Sequence, residues 1–324
     1  MPLWDALAGL RVAVDDVTLQ RCELPREAWT RVTTTVRMVG DGETGEGEDV
    51  TYDAAEHDDF PEVMVAGTWT LDDLSRRLDQ VELSDFRRWA FESAALDLGL
   101  RQAGTSFADA VGGAYHPVRF VASTRDDVGP WLANDPGLEF KLDATKDWDE
   151  AFMRSLAALD RVRVVDLKAY YRGTAVDLAP DPVLYRTVVD TLPDVVIEDA
   201  WLEDGCRAAF AGAEDRLSFD APVHSLADFD ALPVEARWLN VKPSRFGTVR
   251  RLLECIEACT DRGVQLYGGG QFELGHGREQ IQKVASVFYP GGPNDVAPSA
   301  YNEGAPQPDL PRSPLPAPDD APGF

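Results

Sequence analysis

From residue 118 to residue 270 the chain alternates short apolar runs with helical segments. The runs are VRFVAS (118–123), LEFKL (138–142), VRVVDLK (162–168), DVVIED (194–199), RLSFD (216–220), WLNVK (238–242) and VQLYGGG (264–270). Between them lie segments such as WDEAFMRSLAAL, DPVLYRTVVDTL and GTVRRLLECIEACTDRG. This alternation, with a spacing of roughly 20 to 30 residues, is the mark of successive βα units and parallel strands. Seven such units favour a TIM-type barrel over an open sheet.

The first 115 residues read differently. RVTTTVRMVGDGETGEGEDVTY (31–52) alternates apolar and polar residues and then turns through Gly42, Gly45 and Gly47, which predicts antiparallel strands. Leu71–Leu83 and Asp85–Gly104 carry helical periodicity. Strands followed by helices suggest an α+β domain. At the other end, residues 301–324 hold seven of the 22 prolines and predict an extended tail, either packed across the surface or mobile.

Composition narrows the partners. A net charge of -26 repels nucleic acid phosphates and anionic membranes, so neither is an expected partner. No apolar run approaches the length of about 20 residues that spans a membrane, and no signal peptide is legible. The four cysteines (Cys22, Cys206, Cys255 and Cys259) form no metal motif, and Cys255 and Cys259 share one helix face. Reduced core cysteines suit a cytoplasmic protein.

In a barrel, chemistry is carried at the C-terminal ends of the strands. Lysine is scarce here, with five against 26 arginines, yet Lys141, Lys168 and Lys242 all fall at strand ends. So do the carboxylates Asp166, Glu198, Asp199 and Asp220. Burying charge is costly, so a set of charged strand ends converging on one mouth points to function. Hard oxygen ligands without His or Cys suit Mg²⁺. Asp166, Glu198 and Asp220 come from three consecutive strands, flanked by Lys141 and Lys242 across the mouth. A metal between two amines suits removal of a proton from a carbon acid.

These residues resemble the enolase superfamily, in particular the muconate-lactonizing-enzyme-like subgroup. VVIEDAW is similar to its fourth-strand segment, LNVKPSRFG to its sixth, and YGGGQFELGHG to its seventh- and eighth-strand region. EGE (46–48) and ESAALDLGLRQAG resemble the cap strand and the helix that enters the barrel. The resemblance implies an α/β fold: a modified TIM barrel, (β/α)7β, over 116–300, an N-terminal α+β capping domain over 1–115, and the tail over 301–324. It implies a Mg²⁺-dependent isomerase or lyase (an epimerase, cycloisomerase or dehydratase) that abstracts the proton α to a carboxylate of a small acid through an enolate. By motif, Asp166, Glu198 and Asp220 would be the ligands and Lys141 and Lys242 the acid/base pair. A homo-oligomer is common in such families, but no interface is legible.

Three departures stand out. The family's Lys-x-Lys on the second strand is here EFKLD: either Glu139 replaces the first lysine, or Lys141 is the first and Asp143 sits where the second belongs. The strand-to-loop break expected after Leu142 favours the first register. Lys168 stands where the family tends to have Asn, and would either repel a cation or bind a substrate anion. Ala221 follows Asp220 where a Glu is common. These departures also admit a catalytically silent relative that binds metal or ligand, and Lys242 admits an aldolase-type barrel. Arg245 is placed to grip a carboxylate, His224 to line the site, and Glu273 matches a recurrent acidic position. None of the four histidines is legible as half of a His–Asp dyad. Substrate choice is expected in cap loops around 15–25 and 49–60.

Overall fold

The computed structural model describes residues 1–26, 28–302 and 305–324. The cap begins with α1 (Leu3–Ala8) and β1 (Arg11–Val14), followed by β2 (Asp16–Pro25), β3 (Thr30–Gly40), β4 (Glu43–Asp49), β5 (Gly67–Thr70), α2 (Leu71–Leu78), α3 (Asp85–Ala103) and α4 (Phe107–Ala110). β2, β3 and β4 form an antiparallel sheet, and β1 pairs with β5. The β3–β4 turn is Asp41-Gly42, both with positive φ (50° and 82°), the backbone that a two-residue hairpin turn demands.

Gly45 and Gly47 are not turn residues. Both lie inside β4, where a Cβ on Gly45 would stand 2.3 Å from Leu98 N and one on Gly47 2.1 Å from Ala90 O. They are glycines because α3 lies directly on the strand backbone. α3 itself is bounded as its sequence dictates, by a Ser84 side-chain cap and by Gly104 in the left-handed region. α2 stops at Leu78, short of the expected Leu83.

The barrel contains β6 (Ala122–Thr124), β7 (Phe140–Asp143), β8 (Val162–Asp166), β9 (Val196–Glu198), β10 (Leu217–Phe219), β11 (Trp238–Val241) and β12 (Gln265–Gly268). All are parallel, and their order in the sheet is their order in the chain. The helices of the units are α5 (Gly129–Asn134), α6 (Glu150–Leu159), α7 (Pro182–Thr191), α8 (Leu226–Asp230), α9 (Val249–Asp261) and α10 (Gly277–Phe288), whereas β9 is followed by 3₁₀ turns. The ring closes through Asn294 and Asp295, which bridge Phe120 and Gly269 respectively. This closing element lies well beyond the Gly-rich stretch after β12.

The proline-rich end packs on the molecule. Leu315 pairs with Val118. Phe324 is buried against Phe107 and Trp89, and its N–H donates to Asp97 Oδ1 at 2.7 Å.

Two buried charges tie cap to barrel. The Arg31 guanidinium donates to the carbonyls of Val50, Thr51, Gln271 and Phe272 at 2.7–3.1 Å. The Glu48 carboxylate accepts from the N–H groups of Leu274, Gly275 and Gly277, at the start of α10, where the unpaired N–H groups of a helix favour an anion.

Candidate active site

Strand alternation builds the site. Side chains two apart share a face. Val164, Val196 and Tyr267, backed by Trp238, form an apolar floor inside the barrel. One step up the same faces stand Asp166 and Glu198. The intervening Val165 and Ile197 belong to the outer core with the helices. Likewise Leu239 and Val241 pack outward, leaving Asn240 and Lys242 on the opposite face.

Glu198 is the centre of the inner layer. Its Oε1 receives a close contact from the Lys141 ammonium. Its Oε2 accepts from Asn240 Nδ2 at 3.1 Å and, in a short hydrogen bond, from the Tyr267 hydroxyl. Lys141 Nζ also lies 3.3 Å from Asp166 Oδ2 and 3.9 Å from Asp295 Oδ2. With 1% exposure, Lys141 is sealed beneath the mouth.

The outer layer has two ion-paired flanks. On one, Lys168 Nζ lies 2.5 Å from Asp166 Oδ2 and 3.2 Å from Asp143 Oδ1, and Arg125 holds the other oxygen of Asp143 at 3.0 Å. On the other, Asp220 accepts from Lys242 Nζ at 2.8 Å, Arg245 Nε at 2.9 Å and Tyr171 OH at 3.0 Å. Gln271, with its amide oriented to satisfy both groups, accepts from Arg245 Nη2 at 3.0 Å. Asp199, with φ 52°, turns back so that its carboxylate accepts from Asp220 N and Ala221 N at 2.8 and 3.1 Å.

Burial and neighbours separate the ionisations. Burial alone would raise Asp166, but the ammoniums of Lys168 and Lys141 hold it well below the usual carboxylate range. Asp220 is held low against the same burial by Arg245 and Lys242. Glu198 goes the other way: burial, opposed by Lys141 but reinforced by Asp166, pushes it up to about 8. Burial and the charge of Asp220 push Asp199 up to about 7. Lys141, despite burial, is held well above its ordinary value by Glu198 and Asp166.

The structure regroups some expected residues. One carboxylate oxygen from each of Asp166, Glu198 and Asp199 lies within 4.8 Å of the others. Asp199 joins this group and Asp220 does not, because Asp220 faces Lys242 and Arg245. β7 continues through Asp143, so the strand does not break after Leu142; Asp143 stands level with Asp166, and Lys141 one step below, level with Val164. Glu273 is folded into its own loop, accepting from Gln271 N at 2.6 Å and pairing with Arg278 at 3.0 Å. His224 Nδ1 lies 2.7 Å from Asp85 Oδ2, a His–Asp pair that spans cap and barrel.

Asn240 and Tyr267 were not singled out from sequence. Asn240 was within reach of the argument, since it lies two residues before Lys242 on the same face. Tyr267 carries a polar tip on an otherwise apolar strand. Asn294 and Asp295 had no strand signal, because each makes a single bridge.

The donor set fits a hard divalent cation. It is all oxygen, without His or Cys. The buried Asn240 Oδ1 beside Glu198 has no hydrogen-bond partner, and a cation would offset the burial and the neighbouring carboxylate charge that raise Glu198 and Asp199.

A (β/α)7β barrel with an α+β cap has counterparts of the same fold among solved structures. The chain is similar to muconate cycloisomerase from Pseudomonas fluorescens, with 18% identity, TM-score 0.73, and 97% of this chain and 95% of that one covered. It is similar to muconate lactonizing enzyme from Pseudomonas putida at 18% identity and TM-score 0.73, covering 96% of each chain. An enolase superfamily member from Listeria innocua matches at 17% identity and TM-score 0.64, over 89% of this chain and 85% of that one. At these identities the likeness defines the fold. By sequence, the chain belongs to the family described as a domain of unknown function, DUF8230, whose N-terminal domain matches residues 5–110 and whose C-terminal domain matches residues 114–303. No curated protein matches the sequence. No helix among the described residues is long and apolar enough to cross a membrane.

Proposed function

We propose that this protein is a Mg²⁺-dependent isomerase or lyase that removes the proton α to the carboxylate of a small acid. The observation that carries this reading is the juxtaposition, at one barrel mouth, of converging buried carboxylates with the ammonium of Lys242. Asp166, Glu198 and Asp199 would hold the cation in the arrangement seen; Asp220 joins only by giving up Lys242 and Arg245. The cation would supply Lewis-acid stabilisation of the negative charge that develops on the acid's carboxylate.

The protein's own groups do the rest. Lys242 Nζ holds the proton that is taken from, or returned to, the α-carbon, and Asp220 aims it. Arg245 pairs with Asp220 and offers its remaining N–H groups to an incoming carboxylate. Lys141 is the other lysine of the expected acid/base pair. Sealed as it is, it acts through the field it places on Glu198 and Asp166, and Lys168 presents the more accessible ammonium on that flank. The floor of Val164, Val196 and Tyr267 excludes water from below, which strengthens each of these interactions.

Solvent exchange tests the reading. The protein would be incubated with Mg²⁺ in D₂O and a pool of dipeptides, N-acylamino acids, sugar acids and muconate-like diacids. Deuterium entering an α-carbon, and lost in both Lys242→Ala and Glu198→Gln, is the expected outcome. A second reading, a catalytically silent relative, is favoured by one observation: Asp166 and Asp220 already carry cationic partners within the chain. Mg²⁺ binding without exchange across the pool would favour that reading.

A further inference from the structure

Lys168 lies just past β8 with φ 50°, in the left-handed region that non-glycine residues adopt at a cost. The residue two positions before it compensates. Asp166 Oδ1 accepts from Lys168 N at 2.9 Å, and the turn brings the ammonium back onto Oδ2 at 2.5 Å. Both oxygens of Asp166 are thereby engaged by one residue. The same ammonium has a second carboxylate at hand, Asp143, at 3.2 Å, and the Tyr171 ring 4.9 Å away. Asp143 is anchored by Arg125 and stands level with Asp166 on the neighbouring strand.

Building on the metal-assisted reading above, we propose that Lys168 is a tethered counterion of the metal position. Its ammonium occupies Asp166 until a divalent cation arrives, and Asp143 receives it when it is displaced. The physical basis is direct. A cation that ligates Asp166 must break a buried, charge-assisted hydrogen bond and then tolerate a positive charge a few ångströms away. Lys168 therefore weakens divalent binding. The displaced ammonium, held between Asp143 and Tyr171, remains at the mouth beside the incoming acid.

The test is Mn²⁺ binding to the full chain, read from the EPR signal of free Mn²⁺, with Mg²⁺ as competitor. The proteins compared are the unmodified protein, Lys168→Asn, Lys168→Gln and Lys168→Arg. Asn is chosen because it tolerates the left-handed backbone; Gln carries the same test should the Asn variant fail to fold, and circular dichroism melts report folding. The expected result is binding at least about tenfold tighter in Lys168→Asn or Lys168→Gln, with Lys168→Arg retaining the weaker affinity of the unmodified protein. Equal affinity in the unmodified protein and the neutral variants overturns the counterion role while leaving the metal reading intact. Absence of binding in every folded variant overturns both.

Discussion

His224 and Asp85 are 139 positions apart in sequence, yet their side chains meet at 2.7 Å where the loop after β10 reaches the first turn of α3. Arg251 approaches the other Asp85 oxygen at 3.4 Å. The pair is partly exposed, so solvent screens much of what the contact contributes. A double-mutant cycle of Asp85→Asn and His224→Gln, followed by urea denaturation, should give a coupling of about 0.5–1 kcal/mol. A coupling indistinguishable from zero would mean that the two residues meet without holding the domains together.

Tyr267 is the less obvious support of Glu198. Tyr267→Phe keeps the ring in the barrel floor but removes the hydroxyl that bonds Glu198 and lies 3.0 Å from Ser218 Oγ. Loss of a buried donor to a carboxylate should cost about 1–3 kcal/mol in unfolding free energy. Mg²⁺ affinity, measured by calorimetry on the same variant, should fall as Glu198 loses its orientation. An unchanged denaturation midpoint would show that Asn240 and Lys141 suffice to hold Glu198.

The raised carboxyls predict the sign of the pH dependence. In the fold Glu198 and Asp199 titrate near 8 and 7, above the value of about 4 of an unfolded carboxyl. A group that binds its proton more tightly when folded stabilises the fold fully below its unfolded pKa. That contribution is lost as pH rises through the folded pKa. The Tm of protein treated with a chelator should therefore fall as pH rises from about 4 to about 8 and level off above that, and Mg²⁺ should flatten the fall. Asp166 and Asp220, held low, remain ionised across this window and lose their contribution only in acid. A Tm that rises over the window would refute the assignment.

Gly47→Ala asks whether α3 truly lies on the β4 backbone. The new methyl would stand 2.1 Å from Ala90 O and 2.8 Å from Ala94 N, backbone atoms that cannot move without shifting the helix. We expect a loss of about 3 kcal/mol or more by thermal denaturation. Gly9→Ala is the control: its methyl meets nothing within 4 Å, and its effect should stay within about 0.5 kcal/mol.

The barrel was legible in sequence because parallel strands are apolar on both faces and their spacing repeats. The charged mouth was legible because a lysine or aspartate that ends such a run has one place to go. Partners were harder to read. Asp199 is brought beside Asp166 and Glu198 by a left-handed turn that no composition signals. The His224–Asp85 pair was invisible because it joins two domains. Gly45 and Gly47 were read as turns, since a glycine under a close-packed helix and a glycine in a hairpin look alike in one dimension. Lys168 carried its signal openly, as a third lysine at a strand end. Its dependence on both Asp166 oxygens follows only from its backbone.

Arg31 has a consequence for how anything enters the site. One buried guanidinium is shared among carbonyls of the cap and carbonyls of the loop that holds Gln271, which in turn steadies Arg245. Swinging the cap away as a hinged cover would break the two hydrogen bonds from Arg31 to Gln271 and Phe272 and uncover a buried charge at once. Anything that reaches the carboxylates therefore has to do so with cap and barrel still joined through Arg31.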